Sequence, residues 1–281
     1  MSEPINPFWS PQGRPASAPA AVDRHYVRFV ALGDSATSGV AEPAPGGTRH
    51  SWARILAEAI SESHDLSFYN VAEPGSTTED VWLRQLPDAL GHRAHLAALI
   101  VGLNDTMRAS WDRAAVRTYL LMSAAALTSR GAILMTVRFH EHARVMRLPR
   151  PLARVMTGRV EELNEILDEV HRIYGGIRVD LSDLTEVYDS RFWSVDRLHP
   201  SEFGHRALAT RFAEILHDHG LRFRAPHLDT AAPPPRRLDT ARWLCTEVAP
   251  WLGRRARDLG TELTASVVRT ARLRLRLDGV A

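Results

Sequence analysis

Short runs of apolar residues alternate along the chain with segments in which apolar side chains recur every three or four positions. The runs have the length of β-strands, and the segments have the spacing of amphipathic helices. This alternation predicts parallel βαβ units, and continuously apolar strands predict a sheet covered on both faces. We therefore expect a three-layer α/β/α domain with a five-stranded parallel sheet. The predicted strands are 26–32, 66–71, 97–101, 132–137 and 177–181.

Helices are predicted between these strands and after the last one. Ser76 to Glu79 has the form of a capping box, which would start a helix that reaches about Leu90. The segment from Phe139 to Pro151 is basic and has no regular pattern, and a loop is predicted from Thr185 to Arg197. The predicted helices span 51–60, 76–90, 113–129, 159–174 and 201–219.

The two ends of the chain differ in composition from its middle. Residues 1–25 contain five prolines and little apolar periodicity, so we expect them to be disordered. The α/β domain is predicted over 26–222 and a Pro-rich linker over 223–238. Residues 239–281 are basic and amphipathic, which predicts a C-terminal helical extension.

The positive charge of the chain is concentrated at its C-terminus. All basic residues are Arg, and residues 236–281 hold ten Arg against five acidic residues. Residues 1–235 hold 25 Arg against 28 acidic residues, so the main domain lacks the charge of a nucleic-acid binder. We expect no nucleic-acid partner. Two interpretations of residues 239–281 stay open: self-association or packing on the domain, and association with a membrane surface.

Cysteine content and targeting signals indicate the compartment. The chain has one cysteine, Cys245, which excludes an intrachain disulfide and a cysteine-based metal cluster. Residues 1–20 lack the basic start and apolar run of a signal peptide, and no window approaches 18 uninterrupted apolar residues. The expectation is a cytoplasmic protein without a membrane span.

Polar residues follow four of the five predicted strands. Ser35 comes after the first strand, Gly75 after the second, Asn104 after the third, and Asp196 with His199 after the fifth. Because the carboxyl ends of parallel strands share one edge of a sheet, we expect these residues to converge. Taken singly, each is as readily explained as a helix cap or a turn residue.

Together these residue types have the chemistry of nucleophilic catalysis. His199 is a candidate general base for the Ser35 hydroxyl, and Asp196 is a candidate to orient the imidazole. The backbone N–H groups of Ser35 and Gly75 and the amide of Asn104 are candidate donors to an oxyanion. No Gly-x-Ser-x-Gly motif surrounds Ser35, which argues against an ordinary α/β-hydrolase.

In this order, the four motifs resemble those of the SGNH hydrolases, also called GDSL-type esterases and lipases. The resemblance covers about residues 26–220 and rests on Gly33-Asp34-Ser35, Gly75, Gly102-Leu103-Asn104-Asp105 and Asp196-x-x-His199-Pro200. The continuation through Ser201, Gly204 and His205 is similar to actinobacterial members.

The resemblance implies a flavodoxin-like sheet and hydrolysis of a small-molecule or lipid ester through an acyl-enzyme. It implies Ser35, His199 and Asp196 as the catalytic triad, and Ser35, Gly75 and Asn104 as the oxyanion hole. It implies neither a cofactor nor a metal. The substrate stays open, because members act on lipids, simple esters, acetylated sugars and thioesters. An acyltransferase or a thioesterase would use the same site, and a non-catalytic binding module would act through residues 239–281.

The basic segment 138–154 has several interpretations. His140-Glu141-His142 could bind a metal, but no third ligand is evident in the sequence. A solvated loop, or a contact between an anionic substrate and Arg138 and Arg144, is favoured. A lid over the substrate is a further hypothesis for this segment.

Overall fold

The computed structural model describes residues 26–39 and 51–228, together with the isolated residues 245, 246 and 253. The predicted disordered segment 1–25 lies outside the described residues. So do most of the predicted linker and, apart from those three isolated residues, the predicted helical extension.

Five parallel strands form a single sheet in the order β2-β1-β3-β4-β5. The predicted three-layer α/β fold with a five-stranded parallel sheet is confirmed, and each strand begins and ends within about one residue of its predicted bounds. The strands are β1 (Tyr26–Gly33), β2 (Asp65–Asn70), β3 (Leu96–Ile100), β4 (Ile133–Arg138) and β5 (Ile177–Asp180).

Helices cover both faces of this sheet. Helix α2 packs against α9 on one face, and α6 packs against α8 on the other. The short helices are α1 (Ser35–Ser38), α3 (Thr78–Asp80), α4 (Leu86–Gly91), α5 (Leu103–Thr106) and α7 (His142–Met146). The longer helices are α2 (Trp52–Ser61), α6 (Arg113–Thr128), α8 (Arg150–Tyr174) and α9 (Glu202–Asp218).

Three local predictions need correction. The capping box lies one residue later than predicted, because Thr77 and Asp80, rather than Ser76 and Glu79, exchange the capping hydrogen bonds. Helix α8 begins at Arg150 rather than at residue 159, because a proline in the first turn is compatible with a helix start. The predicted loop over residues 185–197 contains two 3₁₀ turns, at Thr185–Tyr188 and Ser190–Phe192.

A π-helical turn, Val81–Gln85, joins α3 to α4. Pro87 follows it and has no backbone N–H, so it cannot continue the regular hydrogen-bond ladder of an α-helix. Within this turn the side chain of Gln85 is buried and points at the end of β1.

The apolar core lies between the sheet and its two helical layers. Phe29, Leu32 and Leu99 from the strands are fully buried, as are Trp52 and Phe212 from opposing helices. The rings of Trp52 and Phe212 stack with their centroids 4.8 Å apart, which joins α2 to α9. Within the described residues, no helix is long and apolar enough to cross a membrane.

Candidate active site

Strands β1 and β3 lie side by side at the point where the strand order of the sheet reverses. In open α/β sheets, a ligand site forms beyond the carboxyl ends of the strands at this point. Ser35 follows β1 and Asn104 follows β3, so both lie beside this crevice. The fold therefore brings two of the predicted site residues to one place before any side-chain contact is considered.

The turn that carries Ser35 is tight. Gly33 has a φ of 151°, and a Cβ at this position would lie 2.3 Å from the carbonyl oxygen of Ile100. Only glycine fits this approach without a shift of the backbone. Asp34 then caps helix α1 by accepting a hydrogen bond from the N–H of Ala36, so Ser35 is the first residue of that helix.

His199 lies on a hairpin that closes on itself. Trp193 and Pro200 form an antiparallel bridge, and the N–H of Ser194 donates to the carbonyl of His199 at 2.8 Å. We call residues 193–200 the Asp–His hairpin. Asp196 lies at its turn and accepts hydrogen bonds from the N–H groups of Leu198 and His199. The hairpin thus fixes the carboxylate and the imidazole relative to each other.

The three predicted triad side chains form a continuous hydrogen-bonded chain. The Ser35 hydroxyl lies 2.9 Å from Nε2 of His199, and Nδ1 of His199 lies 2.6 Å from Oδ2 of Asp196. With the proton on Nδ1 donated to Asp196, Nε2 is free to accept from Ser35. Burial is the largest single influence on Asp196 and opposes its ionisation, but the hydrogen bond and charge of His199, together with the backbone N–H groups of His199 and Leu198, outweigh it and lower the pKa of the carboxyl.

The three predicted oxyanion donors differ in whether they already have a hydrogen-bond acceptor. Among the described residues, the backbone N–H groups of Ser35 and Gly75 have no backbone acceptor. The side-chain amide of Asn104, by contrast, donates to Oδ2 of Asp34 at 3.3 Å and to the carbonyl of Ser76 at 3.2 Å. These are long contacts, and they orient the Asn104 amide at the same edge as the two backbone donors.

The turn at Gly75 is held by contacts on both sides. Its carbonyl accepts from the guanidinium of Arg108 at 3.0 Å, and the N–H of Glu73 donates to the carbonyl of Gly33 at 3.2 Å. Gly75 has a φ of 78°, a conformation that glycine adopts at little cost. The Gly75 turn is therefore tied to the end of β1, next to Ser35.

Gln85 is a site residue that sequence reasoning missed. Its side chain accepts from the N–H of Gly33 and donates to the carbonyl of the same residue, both at 2.9 Å, and donates to Ser76 at 3.0 Å. It thereby joins the turn before Ser35 to the turn after Gly75. Nothing in the local sequence signals a glutamine that pairs with a backbone 52 residues away.

Asp34, of the Gly33-Asp34-Ser35 motif, has a contact beyond its helix cap. Burial raises its pKa to about 6, even though hydrogen bonds and the nearby His199 favour the charged form. Its two oxygens serve different groups, because Oδ1 caps α1 and Oδ2 accepts from Asn104. Asp34 therefore determines which way the Asn104 amide faces.

The prediction of a solvated loop at residues 140–142 is wrong. His140 and His142 are each only 1% exposed, and their rings pack against Trp193 of the Asp–His hairpin. Nδ1 of His142 lies 3.0 Å from Nε2 of His140. Burial lowers the pKa of His142 to about 4 and that of His140 well below its usual value, so both rings are neutral at pH 7.

Of the two arginines for which an anion contact is expected, Arg138 already has carboxylate neighbours. Arg138 faces Asp168 and Asp180, at 3.7 and 3.6 Å, so its charge is already balanced. Arg144 instead lies over the ring of Tyr188. In the part of the chain that the structure describes, no group of three or more His, Cys, Asp or Glu side chains could hold a metal ion.

Comparison with models of known protein families identifies the family of this chain. The model of the GDSL-like lipase/acylhydrolase family matches residues 31–207, which is more than half of the chain. A sequence search of curated proteins finds no match.

Solved structures with the same fold include three esterases or lipases. A lipase/acylhydrolase from Enterococcus faecalis is 20% identical, with a TM-score of 0.54 over 72% of this chain and 99% of that one. An acetyl xylan esterase from Geobacillus stearothermophilus is 15% identical, with a TM-score of 0.56 over 72% and 98%. A psychrotrophic esterase from Pseudoalteromonas is 15% identical, with a TM-score of 0.52 over 68% and 96%. At these identities the structural likeness supports the fold alone.

Proposed function

Since the chain belongs to the GDSL-like lipase/acylhydrolase family and is therefore a serine ester hydrolase, we propose that Ser35 is its nucleophile and that it acts through an acyl-enzyme. The observation that carries this proposal is the hydrogen-bonded chain from Ser35 through His199 to Asp196, with contacts of 2.9 and 2.6 Å. Nucleophile, base and orienting carboxylate have the mutual geometry that such a mechanism needs.

In the first half of the reaction, Nε2 of His199 takes the proton of the Ser35 hydroxyl as Oγ attacks the ester carbonyl. Asp196 stabilises the imidazolium that forms. The backbone N–H groups of Ser35 and Gly75 donate to the oxyanion of the tetrahedral intermediate, and the Asn104 amide joins them when its long contact with the Ser76 carbonyl opens. His199 then gives its proton to the leaving alkoxide, and the acyl group stays on Ser35.

In the second half, His199 takes a proton from water, and the resulting hydroxide attacks the acyl carbonyl. The proton then returns to Oγ of Ser35 as the carboxylic acid leaves. A different alcohol in place of water would make the same acyl-enzyme into an acyltransferase, and a thioester would enter by the same first step. The second nucleophile therefore separates hydrolysis from acyl transfer, and the leaving group separates an esterase from a thioesterase, while the triad is common to all of them.

Hydrolysis of p-nitrophenyl esters from acetate to palmitate tests the proposal, with Ser35→Ala beside the wild type. We expect turnover in the wild type and a loss of at least about 10⁴-fold in Ser35→Ala, because removal of a triad member leaves little beyond binding. Ser38→Ala is the matched control, since Ser38 lies on the same short helix and its hydroxyl donates only to the Ser35 carbonyl.

A fluorophosphonate probe gives a second readout that needs no known substrate. The wild type and Ser38→Ala should be labelled covalently, whereas Ser35→Ala should not. Labelling of Ser35→Ala to the extent of the wild type would contradict the assignment of the nucleophile, as would equal turnover in the two proteins.

A further inference from the structure

A cavity of about 690 Å³ lies beside the Asp–His hairpin and is lined by residues that the proposed mechanism does not use. Arg144 and Arg147 come from helix α7 and its end, Tyr188 comes from a 3₁₀ turn, and Val195 and Arg197 come from the hairpin itself. We call this cavity the arginine pocket. Its volume is that of a site for an organic molecule rather than for a bare ion.

The arginine pocket carries unbalanced positive charge. Within the described residues, no carboxylate forms an ion pair with Arg144, Arg147 or Arg197. The one acidic residue in its lining, Asp189, is held by Arg191 at 2.8 Å and caps the turn that follows. Three arginines without a carboxylate partner therefore line one cavity.

The guanidinium of Arg144 is held in place without being neutralised. It lies 4.4 Å from the centre of the Tyr188 ring, where the face of the aromatic ring attracts a cation. This contact reduces the side-chain freedom that Arg144 would lose on binding an anion, and it leaves the charge uncompensated.

Two of the three arginines have a strained backbone. Arg147 and Arg197 have φ values of 53° and 56°, a left-handed conformation that residues other than glycine seldom adopt. Among the described residues other than glycine, only Arg93 shares this property. Strain of this kind is concentrated at sites where function fixes the direction of a side chain.

We propose that the arginine pocket binds an anionic group, a carboxylate or a phosphate, that forms part of the ester substrate. The inference rests on the proposed function and deepens it by naming a substrate class. Arg197 lies two residues before His199 on the same hairpin, so their Cα atoms are within about 7 Å of each other. The arginine pocket therefore adjoins the hairpin that carries the proposed general base, and the substrate needs a spacer that reaches from an anion in the pocket to an ester at Ser35.

Matched pairs of neutral and anionic esters test this proposal. 4-Nitrophenyl valerate against 4-nitrophenyl hydrogen glutarate adds a carboxylate on the acyl side. 4-Acetoxybenzamide against 4-acetoxybenzoate adds one on the alcohol side. The quantity measured is the ratio of kcat/KM for the anionic ester to that for the neutral ester. We expect this ratio to exceed one in the wild type for at least one pair and to fall as the salt concentration rises.

Substitutions in the pocket should lower that ratio. Arg144→Gln, Arg147→Gln and Arg197→Gln should each reduce it by about fivefold, the effect expected for one exposed ion pair. Arg130→Gln is the matched control, because Arg130 is exposed and lies before β4, at the opposite edge of the sheet. A wild-type ratio of one or less for both pairs overturns the proposal, and so does an equal fall in Arg130→Gln.

A binding measurement separates this proposal from the proposed function and from a site for a free anion. Calorimetry with hexyl phosphate, 1-hexanol and inorganic phosphate uses the intact protein and needs no turnover. Binding of hexyl phosphate that weakens in Arg197→Gln, and exceeds that of the other two probes, supports the pocket even if no tested ester is hydrolysed. Inorganic phosphate that binds as tightly as hexyl phosphate indicates a free-anion site and overturns the substrate assignment.

Discussion

Asp34 shows how one buried carboxylate can serve the proposed catalysis at a cost in stability. Its contact with Asn104 orients an amide at the oxyanion site, while its burial opposes the charge that makes it a good acceptor. Because the pKa is raised from 3.8 to about 6, the folded protein binds a proton more readily than the unfolded chain. This residue therefore contributes stability at low pH that is lost as the pH rises through 6.

Replacement of Asp34 by asparagine should separate these two effects. The Asp34→Asn variant would keep the helix cap but carry no charge at this position, so it should gain stability relative to the wild type as the pH rises from 4.5 to 8. The shift of about two pKa units corresponds to about 3 kcal/mol in all, of which about 2 kcal/mol falls between pH 4.5 and pH 8. The measurement is urea unfolding of both proteins at the two pH values.

The activity of Asp34→Asn should fall, although its stability relative to the wild type should rise with pH. The remaining oxygen caps helix α1, and the other is replaced by an NH₂ group, so the Asn104 amide loses its acceptor. We expect kcat to fall by about 10- to 100-fold, less than or similar to the loss of one oxyanion donor. A stability difference that does not vary with pH would contradict the assigned burial of the Asp34 charge.

At the scale of elements, the turns that follow β1 and β2 are joined by one side chain from the π-helical turn. Gln85 satisfies both backbone groups of Gly33 and the hydroxyl of Ser76. Pro87 disrupts the regular hydrogen bonding of the helix just after Gln85, and this produces the wider π-helical turn. A feature that looks like a defect in the helix thus supports the segment that carries Ser35.

Substitution of Gln85 by Leu, which has a similar volume, should therefore affect both stability and activity. The buried N–H of Gly33 loses its Gln85 acceptor, whereas the Gly33 carbonyl keeps its contact with the N–H of Glu73. One buried polar group without a partner costs about 1–3 kcal/mol, and the free energy of unfolding should fall by about that amount. We also expect kcat to fall by about tenfold, because the turn that carries Ser35 is displaced relative to His199.

Ser76→Ala is the control for this prediction. It removes only the third contact of Gln85 and leaves both bonds to Gly33 in place. Denaturant unfolding and ester turnover should therefore change much less in Ser76→Ala than in Gln85→Leu. Equal effects of the two substitutions would mean that the contacts with Gly33 have no special role.

The order of these elements was readable from the sequence, but their side-chain partnerships were not. Continuous apolar runs predicted all five strands, and the polar residues that follow them predicted which residues meet at one edge. The first turns of α8 were missed because prolines and arginines give them no apolar periodicity, and Met156 is the first fully buried residue of that helix. Gln85 and Arg108 act on backbones 52 and 33 residues away, and no local pattern encodes such contacts.

At the scale of the whole molecule, ionisable groups are buried on both sides of the sheet. His140, His142 and His205 are almost completely buried, and burial lowers the pKa of His205 to about 3. The N–H of Trp52 donates to Nδ1 of His205, which requires a neutral ring. The assignment of residues 239–281 to a membrane surface or to self-association, the cytoplasmic location and the domain bounds stay predictions of the sequence.

These histidines predict that the protein loses stability in mild acid. Their pKa values in the folded state are lower than the ordinary 6.5, so the unfolded chain binds more protons than the folded protein does at mildly acidic pH. Each one contributes stability above pH 6.5 that is lost, by about 1.4 kcal/mol per pH unit, as the pH falls towards its folded value. Below pH 6, Asp34 and Asp105, whose pKa values are raised to about 6, oppose this loss.

The free energy of unfolding should therefore be lower at pH 5 than at pH 7.5, as measured by urea titration. His205→Asn should reduce the difference between the two pH values by about 2 kcal/mol, while it lowers stability at both. His227→Asn, at an exposed histidine, is the matched control and should leave the difference nearly unchanged. A wild type that is more stable at pH 5 would contradict the prediction.

The Asp–His hairpin also determines how heat should affect the enzyme. Asp196 and His199 are three residues apart, whereas His199 and Ser35 are 164 residues apart. A movement of the hairpin carries the carboxylate and the imidazole together and keeps their spacing, but it changes the distance to the serine. Warming should therefore separate Ser35 from His199 while His199 stays paired with Asp196. Because the hairpin is closed by its own backbone bonds, cooling would return it intact, and inactivation below the unfolding temperature would be reversible.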